Sequence, residues 1–298
     1  MMGTHPTQWR FSMSLSGTTM IMSGGSRGIG EAIAVRAARD GANVALLAKS
    51  AEPHPKLPGT IYTAAQAIEE AGGQALPLVG DIRDDAFVAD AVAQTAERFG
   101  GIDLVVNNAS AIDLSRTEDL SMKKYDLMTQ INSRGSFLLS KLCIEHLRAA
   151  DNPHILTLSP PLLTDPKWFG QYTAYAIAKY GMSLVTLGLA EELREDGIAA
   201  NSLWPRTAID TAAVRNVVGP GLESSSRTPQ IMADAAHAIL TKPSREVTGN
   251  FFIDDDVLEA EGVTDFTVYL NGGREEDLAL DFWVEAKGAV GADPTRRL

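Results

Sequence analysis

TTMIMSGGSRGIGEAIAVRAARD, running from Thr18 to Asp40, is the stretch on which the reading of this chain turns. A short apolar run ends at Ser23, a glycine-rich turn follows, and an amphipathic pattern runs from Ile29 to Asp40. Gly24, Gly28 and Gly30 therefore lie between an expected strand and an expected helix. Glycines there permit a tight turn and let backbone N–H groups approach a diphosphate at the helix N-terminus. The spacing is GxxxGxG rather than GxGxxG, and a plain structural turn is the alternative. The strand before it and the helix after it supply the context a nucleotide site requires.

The same alternation continues along the chain. TTMIMS, NVALLA, QALPLVG, IDLVVNN, HILTLS, IAANSLW and GNFFID are short and mostly apolar. Between them lie helical patterns at Ile29–Asp40, Tyr62–Gly72, Ala86–Phe99, Lys123–Ala150, a long helix within Gln171–Gly197, and Pro229–Thr241. Strands alternating with helices imply right-handed crossovers and a parallel sheet covered on both faces. The expectation is one α/β doubly wound domain of about seven strands. Its range is read as 16–270, after a flexible extension over 1–15 and before a partly disordered tail over 271–298. Alternating apolar residues Phe266, Val268 and Leu270 suggest a short extra strand or arm.

Composition narrows the function. The 298 residues are 45% hydrophobic and 21% charged, an ordinary globular balance. A net charge of -12 argues against nucleic acid or an anionic membrane as main partner. No run of eighteen apolar residues exists, so no membrane span is expected, and the N-terminus lacks the apolar core of a secretory signal. Cytoplasm is the expected location. The lone Cys143 sits in an apolar pattern and reads as a small buried hydrophobe. No metal is expected.

Polar residues at strand ends carry the chemistry. A fold selecting NAD is expected to place an acid after the second strand, to accept from the ribose hydroxyls. Here Lys49 and Ser50 stand there, with Arg27 in the glycine turn. Two cations favour the 2′-phosphate of NADP, with NAD the alternative. Lys56, in the proline-rich EPHPKLPGT, is a further candidate contact. In GDIRD, Asp81 can accept from an adenine amino group while Ile82 packs on the ring, or can cap the next helix. NNAS, Asn107 to Ser110, follows the fourth strand, where ligands sit in open parallel sheets. Asn107 can instead stitch neighbouring strands.

In QYTAYAIAKYGMSLVTLGLAEELREDG, Tyr175 and Lys179 stand four apart on one helix face. A free tyrosine ionises near pH 10, so half-ionisation near pH 7 needs a shift of about three units, or about 4 kcal/mol. A neighbouring ammonium, helped by a cationic nicotinamide ring, is the right kind of perturber. An accidental pair is the alternative, since Tyr and Lys at this spacing are common on helices.

Taken together, SGGSRGIG, Asp81–Ile82, NNAS, Asn132 in INSRG, and YAIAK resemble the short-chain dehydrogenase/reductase family in order and approximate spacing, over about Ser16 to Ile253. AKSAEPHPKLPGTIYTAA, NNASAI, LSPPL, AYAIAKYGMS and LWPRTAI resemble its hydroxysteroid dehydrogenase-like branch. Some members of that branch carry a sterol-carrier domain, which a chain of this length is not expected to hold. The resemblance implies a Rossmann-like fold and a nicotinamide dinucleotide. It assigns Tyr175 as general acid/base and Lys179 as the holder of the nicotinamide ribose and depressor of the phenol. Asn132 would fix a water linking Lys179 to solvent. Gly24, Ser26, Arg27, Gly28, Ile29, Lys49, Asp81, Ile82, Asn108, Ala109 and Pro205 would contact the dinucleotide, and Thr207 its carboxamide.

Two departures stand out. The serine usual about thirteen residues before the tyrosine is absent: Leu162 is there, and the alignment puts Pro160 in its place. Either Ser159 is re-aimed by the diproline, or Thr164 substitutes, or Tyr175 works with less help. Ser159 is the candidate retained. A lost donor of this type can cost about 3–4 kcal/mol in barrier. In LWPRTA, Arg206 replaces a common glycine.

The family places a mobile lid over the stretch after Pro205, and Trp168, Phe169, Trp204, Ile209 and Val214 are candidates for an apolar pocket. The expected activity is NADP-dependent interconversion of a hydroxyl and a carbonyl on an apolar substrate (lipid-, terpenoid- or steroid-like). The alternative is a nucleotide-binding regulatory or assembly subunit with little turnover. A homodimer or homotetramer is implied by the family, and Gly181 and Gly188 would let the long helix pack closely.

Overall fold

The computed structural model describes residues 14–54, 57–218 and 221–287. Its centre is a parallel sheet of seven strands in the order β3-β2-β1-β4-β5-β6-β7. The strands are β1 Thr19–Ser23, β2 Asn43–Ala48, β3 Gln74–Val79, β4 Leu104–Asn107, β5 His154–Thr157, β6 Ala199–Trp204 and β7 Phe251–Ile253. Each falls on one of the seven apolar runs read from the sequence.

The helices are α1 Gly28–Ala38, α2 Ile61–Glu70, α3 Asp85–Phe99, α4 Met122–Thr129, α5 Gly135–Arg148, α6 Thr173–Glu192, α7 Gln230–Leu240 and α8 Asp254–Ala260. Along β1, Met20 and Met22 join a core layer with Ile33 of α1 and Ile239 of α7, while Ile21 joins the opposite layer with Val88 and Leu139. Both faces of β1 are thus buried, which is why its sequence is continuously apolar rather than alternating. Burying one such side chain stabilises by roughly 1.5–3 kcal/mol.

Several expectations are corrected. The pattern over Lys123–Ala150 is two helices, parted by a widened π turn at Gln130–Arg134. The long helix closes at Glu192, ahead of Gly197 (φ +74°). Phe266–Leu270 forms a 3₁₀ turn at Thr267–Tyr269, not a strand: Phe266 and Tyr269 turn inward while Val268 is exposed. Gly181 packs inside the chain, because a Cβ there would meet Ser133 Cβ at 2.7 Å.

The sequence reading ended the domain at 270, yet residues 271–287 return over it, with Leu278, Leu280, Trp283 and Val284 buried. At the other end Leu15 is buried and its N–H donates to Asp40 (2.9 Å). The rest of the expected extension (1–13), the last part of the tail (288–298) and Lys56 lie outside the described residues. Among the described residues, no helix is long and apolar enough to cross a membrane.

The strand order reverses between β1 and β4, so the carboxyl ends of those strands diverge and leave a crevice.

Candidate active site

The glycine turn shapes one end of the crevice. Gly24 (φ +77°) donates its N–H to Leu47 O (2.8 Å), and its carbonyl accepts from Asn108 Nδ2 (2.8 Å). A Cβ on Gly24 would meet the Ala109 backbone at 2.8 Å, so the turn and the end of β4 are in direct backbone contact. A Cβ on Gly30 would strike Asn108 Nδ2 at 2.5 Å. Residue 27 leads into α1 with no side-chain cap, which leaves first-turn N–H groups open to a ligand.

A cavity of about 490 Å³ runs from this turn to α6. Gly24, Ser26, Arg27, Gly28, Ile29, Lys49, Asp81, Ile82, Asn108 and Ala109 line it toward the glycine turn. Tyr175, Lys179 and Pro205 line the far end. Asn132, Ser159 and Thr207 are not brought to its wall.

At the glycine-turn end, Lys49 Nζ lies 3.0 Å from Asp81 Oδ2, and Arg83 closes on the same carboxylate at 2.6 Å. The Arg83 hydrogen bonds above all hold the Asp81 carboxyl far below its ordinary range. Arg27 donates from Nε to Pro58 O (3.0 Å) and from Nη2 to Gly59 O (2.8 Å), clamping the proline-rich loop over this end.

At α6, Tyr175 and Lys179 are 6% and 3% exposed. Lys179 Nζ donates to Leu158 O (2.5 Å) and stands 4.8 Å above the Trp204 ring. Burial pulls the ammonium down to about 7, with Asp281 opposing. Burial also pushes the Tyr175 phenol well above its usual range; Asp281 adds to the rise, and a hydrogen bond with the Ser110 side chain opposes it. The depression expected from Lys179 is not found in this state: burial dominates, and Lys179 is not among the groups that shift the phenol.

Asn132 sits in the π turn and is wholly buried. Its Oδ1 accepts from Ala111 N (2.8 Å) and its Nδ2 donates to Ala111 O (3.1 Å). Both ends of its amide are committed to bracing the segment after β4. Ser159 Oγ pairs with Ser202 Oγ (2.8 Å) inside the fold, and Thr164 is exposed. Thr207 is buried with its hydroxyl unpartnered among the described residues. Asn107 stitches strand to helix, donating to Ser140 Oγ (2.9 Å). Burial keeps the Cys143 thiol protonated.

The family model described as short chain dehydrogenase matches residues 18–219, which span the turn, the crevice and the Tyr175–Lys179 helix. The chain belongs to the short-chain dehydrogenase/reductase family. Hydroxysteroid dehydrogenase-like protein 2 of Danio rerio is 54% identical over 295 residues, covering 95% of this chain and 70% of that protein. Its Homo sapiens counterpart is 52% identical, over 91% of this chain and 65% of its own. A crystal structure of a short chain dehydrogenase of Mycobacterium thermoresistibile is 57% identical with a TM-score of 0.87, covering 94% of this chain and all of that one.

Within this dehydrogenase/reductase, two departures from the family pattern acquire reasons. Arg206 anchors the acidic start of α8 and the returning C-terminal segment. Its Nε donates to Asp255 (2.8 and 2.7 Å), Nη2 to Asp256 (2.6 Å) and Nη1 to Glu285 O (3.0 Å). A glycine there would leave those carboxylates without this partner. For the missing serine, the structure offers Ser110, which lines the same cavity as Tyr175.

Ser110 and Asp281 are the site residues that sequence reasoning did not assign. Ser110 lay in the quoted NNAS motif without a role. Asp281 carried a usable signal: a single acid inside the apolar run LALDFWV. Asp and Glu are almost never fully buried without a reason.

Among the candidates for the apolar pocket, Trp204, Ile209 and Val214 line the cavity, with Thr211 and Ala212 beside them. Trp168 lines a smaller neighbouring cavity, and Phe169 packs against Tyr180 with centroids 4.8 Å apart.

Proposed function

We propose that this protein is an NADP(H)-dependent oxidoreductase that interconverts a hydroxyl and a carbonyl on an apolar substrate, with Tyr175 as general acid/base. The carrying observation is that Tyr175 and Lys179 line the same cavity that begins at the uncapped start of α1. The residues fit a dinucleotide: backbone N–H groups at α1 for a diphosphate, Asp81 and Ile82 at the adenine end, Lys179 and Pro205 at the nicotinamide end. When bound, the nicotinamide ring supplies or accepts the hydride.

The chain's own residues handle the oxygen and its proton. At neutral pH the buried phenol is protonated, the form that donates to a carbonyl oxygen. Ser110 orients that phenol or donates to the same oxygen. A cationic ring beside the phenol would lower its pKa and prepare it to accept a proton from an alcohol. Ile112, Leu158, Trp204, Ile209 and Phe282 give the reacting end an apolar wall, which supports an apolar substrate.

Lys49 in place of an acid after β2, with Arg27 nearby, supports NADP over NAD. Apolar side chains exposed on α5 and α6 (Phe137, Ile177, Leu184, Leu187) support self-association as a dimer or tetramer.

Titration with NADPH followed by a panel of apolar aldehydes and ketones tests the reading. Binding with cofactor oxidation on at least one carbonyl is expected. Binding without oxidation across the panel would favour a nucleotide-holding subunit, the reading that the inward-turned Ser159 otherwise invites.

A further inference from the structure

Beside the large cavity lies a second, of about 220 Å³, walled by the aromatic rings of Trp168, Tyr172, Phe282 and Trp283. Its polar residues are Lys167, Gln171 and Asp281. Two of these are engaged within the chain: Lys167 pairs with Glu285 (3.3 Å), and Asp281 Oδ1 accepts from Phe282 N–H (2.7 Å). Phe282 lines the large cavity as well. Its ring meets Tyr175, of the large cavity, and Tyr172, of the small one, both edge-on, with centroids 6.2 and 5.6 Å apart.

The backbone under that ring is pinned. Its N–H is held by Asp281, and its carbonyl accepts from Trp204 Nε1 (2.8 Å). The next residue, Trp283, sits at φ +57°, a costly backbone for a bulky side chain, with its indole N–H on Trp168 O (2.7 Å). Such strain persists only where the surrounding structure demands it, and it clusters at active sites and ligand clamps. Asp281, Phe282 and Trp283 lie beyond the 18–219 matched by the family model. The rest of the lining, within 167–172, follows the diproline at which this chain departs from the family pattern.

We propose that this recess is a substrate subsite for a flat ring system next to the reacting carbon, and that Phe282 sets the size it admits. This role rests on the oxidoreductase reading above. With the dinucleotide spread over the large cavity, from α1 to Pro205, the body of the substrate needs room beyond Tyr175. Phe282, in contact with Tyr175, borders such room. An apolar cavity of about 150 Å³ takes benzene, so about 220 Å³ suits a substituted ring or a fused pair. Aromatic walls favour flat rings over extended chains, because stacked and edge-on ring pairs gain more than their buried area supplies. The substrate class is therefore an aryl or fused-ring alcohol and its carbonyl partner, rather than a fatty chain.

Methyl ketones that differ only in their second group test this: acetone, methyl nonyl ketone, methyl naphthyl ketone and methyl phenanthryl ketone, each with NADPH. The naphthyl ketone should exceed the nonyl ketone in kcat/KM about tenfold. Gln171→Phe narrows the recess from an exposed position and should lower the naphthyl-to-acetone ratio of kcat/KM about tenfold. Phe282→Ala removes the partition and should raise the phenanthryl-to-naphthyl ratio about tenfold. Should Phe282→Ala not fold, Phe282→Leu takes its place. A merely structural role would lower both members of a ratio alike. A preference for the nonyl ketone, or a ratio left unmoved by either variant, overturns the proposal.

Calorimetry with NADP⁺ present separates failure here from failure of the oxidoreductase reading. Methyl naphthyl ketone should bind wild-type protein about tenfold more tightly than it binds Gln171→Phe. That difference without turnover of any ketone would remove the oxidoreductase reading and leave the recess as a ring-binding site. Equal binding by the two proteins, or none, overturns the recess whatever the turnover.

Discussion

The two ends of the cavity treat charge in opposite ways. At the glycine-turn end, Lys49 is 63% and Asp81 22% exposed as side chains, and each charge is paired. The Asp81 carboxyl is held far below its ordinary range, chiefly by Arg83, so it stays ionised. At the α6 end, Tyr175, Lys179 and Asp281 are buried, and burial drives each toward its neutral form. Fixed charges near water suit recognition of a ligand that must bind and leave. Groups whose charge is costly suit proton transfer, because a small change beside them shifts the equilibrium. On the proposed function, one cavity thus combines a holding end and a reacting end.

Substitutions at each end should separate these roles. The largest effect belongs to the reacting end: Tyr175→Phe should lower kcat about a thousandfold or more while NADPH affinity stays within about twofold. Fluorescence titration and steady-state rates on the same preparation check both halves. A matching loss of affinity would erase the distinction between the ends.

Next is the scaffold of the reacting end. Arg206→Ala removes the partner of buried Asp255 and should cost about 3 kcal/mol of stability, read by denaturant unfolding. A shift below about 0.5 kcal/mol would mean that the C-terminal return does not depend on this arginine.

Ser110→Ala removes a cavity-wall hydroxyl that opposes the rise of the phenol's pKa and should lower kcat about tenfold. Ser159→Ala, its hydroxyl turned to Ser202, should leave kcat within about twofold. The reverse order would show that the missing serine is replaced by Ser159 after all.

The smallest effect belongs to the holding end. Lys49→Ala should weaken NADPH about fivefold while leaving NADH within about twofold, because an exposed cation contributes modestly. Equal loss for both cofactors would remove the argument for a 2′-phosphate.

The same division explains what could be read from the sequence. The holding end is built from local signals: a strand, a glycine turn and a helix in one stretch, with Lys49 and Asp81 each directly after a strand. All seven strands were legible because each apolar run is short and bounded. The reacting end is assembled from distant pieces. Tyr175 and Lys179 were visible through their helical spacing, but Asp281 joins them on the cavity wall only because residues 271–287 fold back over the domain. No periodicity reports such a return.

The π turn that divides Lys123–Ala150 was hidden for a related reason. Its helical pattern is continuous, and the break serves a contact between Asn132 and Ala111 that only the tertiary structure shows. At Phe266–Leu270 alternating apolar residues imitated a strand, although a 3₁₀ turn buries Phe266 and Tyr269 and leaves Val268 outside.

The central claim is that Tyr175 is poised by its surroundings to trade a proton once the dinucleotide is in place. NMR of tyrosine labelled at Cζ, compared with Tyr175→Phe, measures its ionisation with and without NADP⁺. A phenol that stays protonated beyond the ordinary tyrosine range in the free protein, and ionises at markedly lower pH with NADP⁺ bound, is the predicted result. A titration that NADP⁺ leaves unmoved would contradict the account.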